Sequence, residues 1–111
     1  MGQSKKKVID NEFFNTFFIR LKGIKKNESK RNQGFVVNCF IHTDHSIDDF
    51  ENVLLQDLKD SQLEVVNILN KGEYKNFTWD ISHSAEITEL VKLAVSSPNE
   101  IQYGPFHSWL I

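Results

Sequence analysis

Cysteine is nearly absent from this sequence, which limits both its covalent structure and its location. Cys39 is the only cysteine among the 111 residues, so the chain forms no internal disulfide. It lies between Asn38 and Phe40 in an apolar run, where a free thiol is usually buried. We therefore expect a buried, unreactive Cys39, and the lack of a disulfide framework favours a reducing, cytoplasmic environment.

Long hydrophobic runs are also missing. No apolar stretch approaches the length of about 18 residues that a transmembrane helix requires, so no membrane partner is predicted. The basic start, residues 1–7, has no apolar region behind it and lacks the pattern of a secretory signal. Lys6 stands where a myristoylation motif needs Ser or Thr. We expect residues 1–11 to be a disordered basic tail and residues 12–111 to form a single α+β domain.

The motifs of several enzyme classes are absent as well. The sequence contains neither a phosphate-binding P-loop nor a Gly-rich dinucleotide-binding fingerprint, and no serine has a nucleophile-elbow sequence around it. Cys39 and His42 are three apart on a predicted strand, so their side chains point to opposite faces. No set of residues supports an enzyme, and no cofactor is predicted.

Charge is present in both signs and is unevenly distributed. The whole chain has a net charge of −2. Residues 1–31 hold nine of the 13 basic and three of the 15 acidic residues, a net charge of +6. Residues 32–111 hold the other four basic and 12 acidic residues, a net charge of −8. The split predicts two oppositely charged surfaces, each suited to a different partner.

Alternating apolar residues predict two strands in the first half of the chain. Phe13–Ile24 has a period of two and is rich in good strand formers. A polar stretch, residues 25–33, predicts a loop, and Gly34–His42 predicts the second strand of a hairpin. Ser46 then predicts the N-cap of a helix, whose apolar residues recur at helical spacing until about Lys59.

The second half of the chain predicts a hairpin followed by a helix and a final strand. Leu63–Leu69 and Tyr74–Ile81 are the two predicted strands of the hairpin, and a short polar turn joins them. A second helix is predicted to begin near Ser82 or Ser84, and the sequence Ser96-Ser97-Pro98 ends it. The last strand begins near Ile101, and the apolar residues 106–111 either re-enter the sheet or bind a partner.

From residue 34 onward the predicted order is β-α-β-β-α-β, the ferredoxin-like arrangement. We therefore expect an α+β fold, a ferredoxin-like two-layer sandwich with both helices on one face of an antiparallel sheet. The strand at Phe13–Ile24 is additional to that order and should form a hairpin with Gly34–His42. The sequence leaves open whether this strand displaces the last one or lies at an edge of the sheet.

The four histidines are the residues most suited to metal binding or acid–base chemistry. His42 and His45 lie at one turn and are the candidates for a metal or small-ligand site. The predicted topology places His83 and His107 at the opposite end of the sheet. A zinc site needs three or four converging ligands, so no metal site is predicted.

A cluster of basic residues on the first strand and its loop raises a nucleic-acid hypothesis. Such a cluster neutralises phosphates, and its binding weakens steeply with added salt. The same residues are equally typical of a solvated hairpin tip, whose lysines keep a sheet edge from aggregating. The candidate contact residues are Arg20, Lys22, Lys25, Lys26, Lys30 and Arg31.

The leading hypothesis is a small non-enzymatic binding or regulatory module that acts through protein–protein contacts, including self-association into a dimer. The alternatives are nucleic-acid binding through residues 20–31 and a ligand or metal at the His42–His45 turn. Aromatic residues on an uncovered sheet face would stack bases, contact a partner or pack under another element, and packing is favoured. The candidate partner-contact residues are Phe40, Tyr74, Phe106, Trp109, Asp48, Asp49 and Glu51.

Overall fold

A computed structural model describes residues 14–28 and 30–111 of the chain. The expected basic tail, residues 1–11, lies outside these described residues. The elements in chain order are β1 (Asn15–Lys25), β2 (Gln33–Thr43), α1 (Ile47–Asp60), β3 (Leu63–Glu73), a short 3-10 helix (Tyr74–Asn76), α2 (Ile81–Ser96), β4 (Gln102–Tyr103) and β5 (His107–Leu110). Neither described helix is long and apolar enough to cross a membrane.

Five strands within the described residues form one antiparallel sheet, which confirms the α+β class. The strand order is β3-β1-β2-β4, and β5 pairs with the same edge of β2 as β4 does. β1 and β2 form the predicted hairpin, with a continuous register from the pair Asn15–Thr43 to the pair Lys25–Gln33. The N-terminal strand is therefore central, because its other side pairs with β3 along most of its length.

The strand predicted at Tyr74–Ile81 is not present. Its first residues form the 3-10 helix, residues 77–80 are irregular, and α2 begins at Ile81. The period-two pattern arises because Phe77 and Trp79 both pack down onto Phe18, with ring centroids 5.0 and 4.7 Å from it. The segment thus crosses the face of the sheet. β3 pairs with β1, and not with this segment as the predicted hairpin required.

The two helices of the described residues lie on opposite faces of the sheet, so this part of the chain has three layers where two were predicted. α1 covers the face that includes Ile19 and Cys39, whereas α2 covers the face that includes Phe18 and Phe40. The reason is that β1 and β2 are apolar on both faces, and each face needs a cover to exclude water. The ferredoxin-like order is not confirmed.

The local signals at α1 are confirmed in detail. The Ser46 hydroxyl accepts a hydrogen bond of 3.1 Å from the backbone N–H of Asp49, which satisfies one free donor of the first turn. Phe50, Leu54 and Leu58 are buried against the sheet. They recur at helical spacing, so one stripe of the helix carries its packing.

The sequence left two alternatives for the apolar residues 106–111, re-entry into the sheet or binding to a partner. In the structure they re-enter the sheet. β5 pairs with the first four residues of β2, and the backbone N–H of Ile111 donates to the carbonyl of Asn32 at 2.9 Å. The Trp109 ring lies on Gly34, where an added Cβ would stand only 2.5 Å from the ring. The absence of a side chain at Gly34 therefore lets β5 approach closely.

Candidate functional site

The outer side of β5 is a free strand edge. Ile111 and Asn32 form a hydrogen-bonded pair, and such pairs alternate along antiparallel strands. The register of β5 on β2 therefore turns the backbone groups of Trp109 towards β2 and those of Ser108 and Leu110 away from it. Within residues 14–28 and 30–111, no strand pairs with this outward side.

Large apolar side chains border the free edge. Leu110 is 59 % exposed, Trp109 is 42 % exposed, and Phe106 and Ile111 are comparably open. Phe106 is held on one face by the rings of Phe35 and Tyr103, at centroid distances of 5.3 and 6.2 Å. Phe106 is thus anchored on the sheet, and all four apolar side chains remain partly uncovered, which is unusual for a solvent-facing strand.

Phe40 and Tyr74, two predicted contact residues, pack into the α2 face of the sheet. Phe40 is fully buried beneath α2 and Trp79, which excludes it as a surface contact. Tyr74 is half-buried and stacks on Trp79 at 5.7 Å. The sequence left contact with a partner and packing within the chain as alternatives for these aromatic residues. The structure supports packing for both Phe40 and Tyr74.

The acidic contact candidates on α1 are engaged within the chain. The Lys71 ammonium lies 2.8 Å from Glu51 and 3.3 Å from Asp48. The hydrogen bonds that the Lys71 ammonium donates to Glu51 and Asp48 raise the pKa of Lys71. Asp49 lies at the helix N-terminus, 4.0 Å from the ring of His45. Glu51 and Asp48 therefore stabilise the contact of α1 with β3 through Lys71, while the side chains of Asp48 and Asp49 stay largely exposed.

The six basic candidates do not form one surface. Arg20 and Lys22 lie on the α2 face, where Arg20 is 5.7 Å from the centroid of Phe18 and Lys22 is 5.7 Å from that of Trp109. Lys25 faces the other side, in a groove of about 270 Å³ that Phe35 also lines. The sheet therefore separates these basic side chains.

The remaining basic candidates lie around the hairpin loop. Lys26 pairs with Glu64 at 3.1 Å, and Arg31 donates to the carbonyl of Ile111 at 2.7 Å. Lys30 is exposed. Two of these three basic side chains thus have partners within the chain.

His42 and His45 lie at the end of β2 and the turn after it, whereas His83 and His107 line the groove on the α2 face. His42 is hydrogen-bonded to Thr16 at 2.9 Å through Nδ1, and its burial lowers its pKa. His45 is exposed beside Asp44 and Asp49. In the described part of the chain, no group of three or more His, Cys, Asp or Glu residues could hold a metal ion.

Cys39 is a buried free thiol, as predicted. It is fully covered by the core on the α1 face. Burial, with a smaller contribution from the charge of Asp57, raises the pKa of the thiol to about 12. The nucleophilic thiolate is therefore not formed near neutral pH, and Cys39 does not act as a catalytic nucleophile.

A groove on the α2 face combines residues that the sequence analysis did not associate. It has a volume of about 580 Å³ and lies between the N-terminal half of α2 and the part of the sheet that α2 leaves uncovered. Its apolar floor includes Phe18, Phe77 and Ile87. The polar side chains that line it are Arg20, Asn38, Asn70, Asp80, His83, Glu86 and His107.

One signal for this groove was present in the sequence. A hairpin that closes over the loop at residues 25–33 would place Arg20 opposite Asn38, although the sequence analysis did not draw that pairing. The structure shows it, with a hydrogen bond of 2.8 Å from Nε to Oδ1. The contribution of Glu86 could not be foreseen, because it depends on which face of the sheet α2 covers.

Comparison with known proteins gives no further guide to function. No family model, no curated protein and no solved structure matches this chain. The arguments for function therefore depend on the geometry and chemistry of the described residues.

Proposed function

We propose that the protein is a small non-enzymatic binding module that acts through protein–protein contacts at the outer edge of β5. The observation that supports this proposal is the free edge itself, whose outward backbone groups belong to Ser108 and Leu110. An extended segment of a partner would add to the sheet as a further strand. The exposed apolar side chains beside the edge would bury part of their surface against that segment.

The opposite edge of the sheet is less suited to strand addition. β3 is irregular, because its register on β1 shifts twice, which leaves Leu69 and Val66 without paired residues on β1. Such bulges twist an edge strand and interrupt the regular row of donors and acceptors that an added strand needs. β5 pairs with β2 without a register shift, so it offers the better template.

Self-association fits the same edge. Two copies related by a two-fold axis would place one β5 antiparallel to the other, which continues the sheet across the dimer. This arrangement would use the same outward groups of Ser108 and Leu110 that a foreign strand would use. A second copy and a different protein are therefore two occupants of one surface, and they compete.

The proposal is tested by selecting peptides from a random 12-residue phage-display library on the immobilised protein. Ser108→Pro removes an outward N–H without removing a hydrogen bond to β2, a position that an edge strand tolerates. Ser108→Ala removes the same hydroxyl but keeps the N–H, so it is the matched control. We expect selected peptides to bind the wild type and Ser108→Ala equally, and Ser108→Pro at least about tenfold more weakly.

Two results would contradict the proposal. One is a set of peptides that bind Ser108→Pro as tightly as the wild type, since they use another surface. The other is a selection that yields no binder, together with sedimentation that shows a monomer at every concentration. A dimer that Ser108→Pro dissociates supports the self-association form of the proposal.

Nucleic-acid binding is the second candidate, and the contact between Lys22 and Trp109 favours it. The Lys22 ammonium lies over the exposed Trp109 ring, so a stacked base and a neutralised phosphate could be neighbours there. This candidate predicts binding of single-stranded RNA that weakens with salt and is lost in Lys22→Gln/Trp109→Ala. Lys92→Gln, on the exposed part of α2, is the control. No binding at low salt would exclude it.

A cytoplasmic location is proposed on chemical grounds alone. Cys39, the only cysteine of the chain, is a free thiol, and free thiols are typical of reducing compartments. Fractionation of cells that express the tagged full chain would test this proposal, and recovery in a membrane or extracellular fraction would contradict it.

A further inference from the structure

The groove on the α2 face holds an arginine that is positioned but has no acidic partner. Arg20 is half-buried, its Nε donates to Asn38 at 2.8 Å, and its guanidinium carbon lies 5.7 Å from the centroid of Phe18. No carboxylate of residues 14–28 or 30–111 lies within ion-pair distance of it. The terminal nitrogens of Arg20 are therefore aimed by two contacts and remain available for a bidentate acceptor.

Carboxylates line the same groove, and they are also not neutralised. Glu86 on α2 is half-buried and has no hydrogen-bond or ion-pair partner within the described chain. Asp80 is exposed and has only the ring of His83, 4.0 Å away, beside it. His107 lies on the β5 side of the groove. Arg20 and Glu86 thus line one groove without an ion pair to each other or to another side chain of the described residues.

The floor and the size of the groove limit what it can hold. Phe18, Phe77 and Ile87 provide apolar surface between the charged groups, and Trp79 extends it. A volume of about 580 Å³ lies within the range of small-molecule sites, which combine an apolar lining with a few polar groups. An ion alone would leave the apolar floor uncovered, whereas an apolar molecule alone would leave Arg20 and Glu86 without partners.

We propose that this groove binds a small zwitterion with an apolar body, of the class of an aromatic α-amino acid. Arg20 holds the carboxylate of the ligand, Glu86 accepts hydrogen bonds from its ammonium group, and the apolar floor contacts its side chain. This assignment satisfies both unpaired charges and the floor at once. The proposal does not depend on the proposed binding of a protein at β5. Among the residues that line the groove, only His107 belongs to that strand.

Three related molecules separate the contributions of the two charges. L-phenylalanine has both, phenylacetate has only the carboxylate, and phenethylamine has only the ammonium group. We expect isothermal titration calorimetry to show saturable binding of L-phenylalanine to the full chain. Each singly charged molecule should bind about tenfold more weakly or worse, since it loses one charge-assisted hydrogen bond.

Two substitutions assign the charges to residues. Arg20→Gln should weaken L-phenylalanine and phenylacetate about tenfold and leave phenethylamine unchanged, and Glu86→Gln should weaken L-phenylalanine and phenethylamine but not phenylacetate. Arg31→Gln and Glu89→Gln change the same residue types outside the groove, and they should alter none of the three affinities.

Two results would contradict the proposal, and the first of them needs only the wild-type protein. The proposal is wrong if L-phenylalanine does not bind the wild type, or if phenylacetate and phenethylamine each bind it as tightly as L-phenylalanine does. It is also wrong if amide spectra show that Arg20→Gln is folded and still binds L-phenylalanine with wild-type affinity. Ser108→Pro should retain the binding of L-phenylalanine, so failure of this proposal and failure of the β5 proposal are distinguishable.

Discussion

Cys39 shows how burial changes the chemistry of a single residue. Its side chain is inaccessible, and removal from water disfavours the charged thiolate, which raises the pKa to about 12. The lack of solvent access and the raised pKa therefore both protect the Cys39 thiol from reaction. This agreement between sequence and structure was possible because an apolar run around one small residue is a local signal.

We predict that Cys39 does not react with Ellman's reagent in the folded protein. The reaction needs an accessible thiolate, and both conditions are met only after unfolding. The absorbance at neutral pH should stay at the blank level and rise to one thiol per chain when urea unfolds the protein. Complete labelling within minutes without urea would contradict the burial of Cys39.

His42 is predicted to make stability depend on pH. Its pKa is lowered from the ordinary 6.5 by burial, so as the pH falls below that value the unfolded chain takes up the proton first. The free energy of unfolding should therefore fall between pH 6.5 and the lower pKa of the folded state. Urea unfolding at several pH values measures it.

The control for His42 uses a second histidine. His42→Gln should remove part of the fall in stability on acidification, whereas His45→Gln, which changes an exposed ring, should keep it. An equal pH profile for the wild type and His42→Gln would mean that the burial of His42 does not affect stability.

At the scale of elements, the seating of β5 depends on a glycine beneath a tryptophan. A Cβ at position 34 would stand 2.5–2.6 Å from atoms of the Trp109 ring, so the ring would have to move away. The strand edge proposed to bind partners would then be loosened. The contact joins a feature of the sequence, Gly34 at the start of a strand, to the position of the proposed site.

We predict that the effect of Gly34→Ala changes sign with residue 109. In the wild type it should cost about 1 kcal/mol because Trp109 loses its packing. In a Trp109→Ala background it should stabilise the protein by roughly 0.5 kcal/mol, because alanine has less freedom than glycine in the unfolded chain. Urea unfolding of all four proteins measures this double-mutant cycle, and equal effects in both backgrounds would contradict the contact.

Elements that depend on local pattern were predicted well, and one that depends on distant packing was not. The hairpin of β1 and β2 and the cap at Ser46 use information within a few residues. The segment Tyr74–Ile81 has the alternation of a strand, but Phe77 and Trp79 alternate because they cover Phe18 from above. A period of two does not distinguish a strand within a sheet from a segment that lies across it.

At the scale of the whole molecule, each face of the sheet is shielded from water where a helix covers it. Phe17 and Phe18 are adjacent in β1 and point to opposite faces, so each face has apolar side chains to cover, although the sequence analysis expected both helices on one face. A two-layer sandwich would have exposed one of these faces. The groove lies where the N-terminal half of α2 leaves part of the sheet uncovered, and this could not be foreseen without the position of the helix.

We predict that the α2 face contributes strongly to the stability of the protein. Phe18 is almost fully buried and contacts Phe40, Phe77 and Trp79. Phe18→Ala should therefore cost about 3–5 kcal/mol. Val66→Ala, at an exposed bulge of β3, should change stability by no more than about 0.5 kcal/mol. Chemical denaturation measures both, and a small effect at Phe18 would indicate an open two-layer sandwich.

The free outer edge of β5 is the central claim for function, and amide hydrogen exchange tests it most directly. In the dilute free protein, the N–H groups of Ser108 and Leu110 should exchange rapidly, while those of His107 and Trp109 exchange slowly because they are bonded to β2. A selected peptide, or dimer formation at high concentration, should slow the exchange of Ser108 and Leu110. Protection of both in the free monomer, or unchanged exchange when a peptide is bound, would contradict the account.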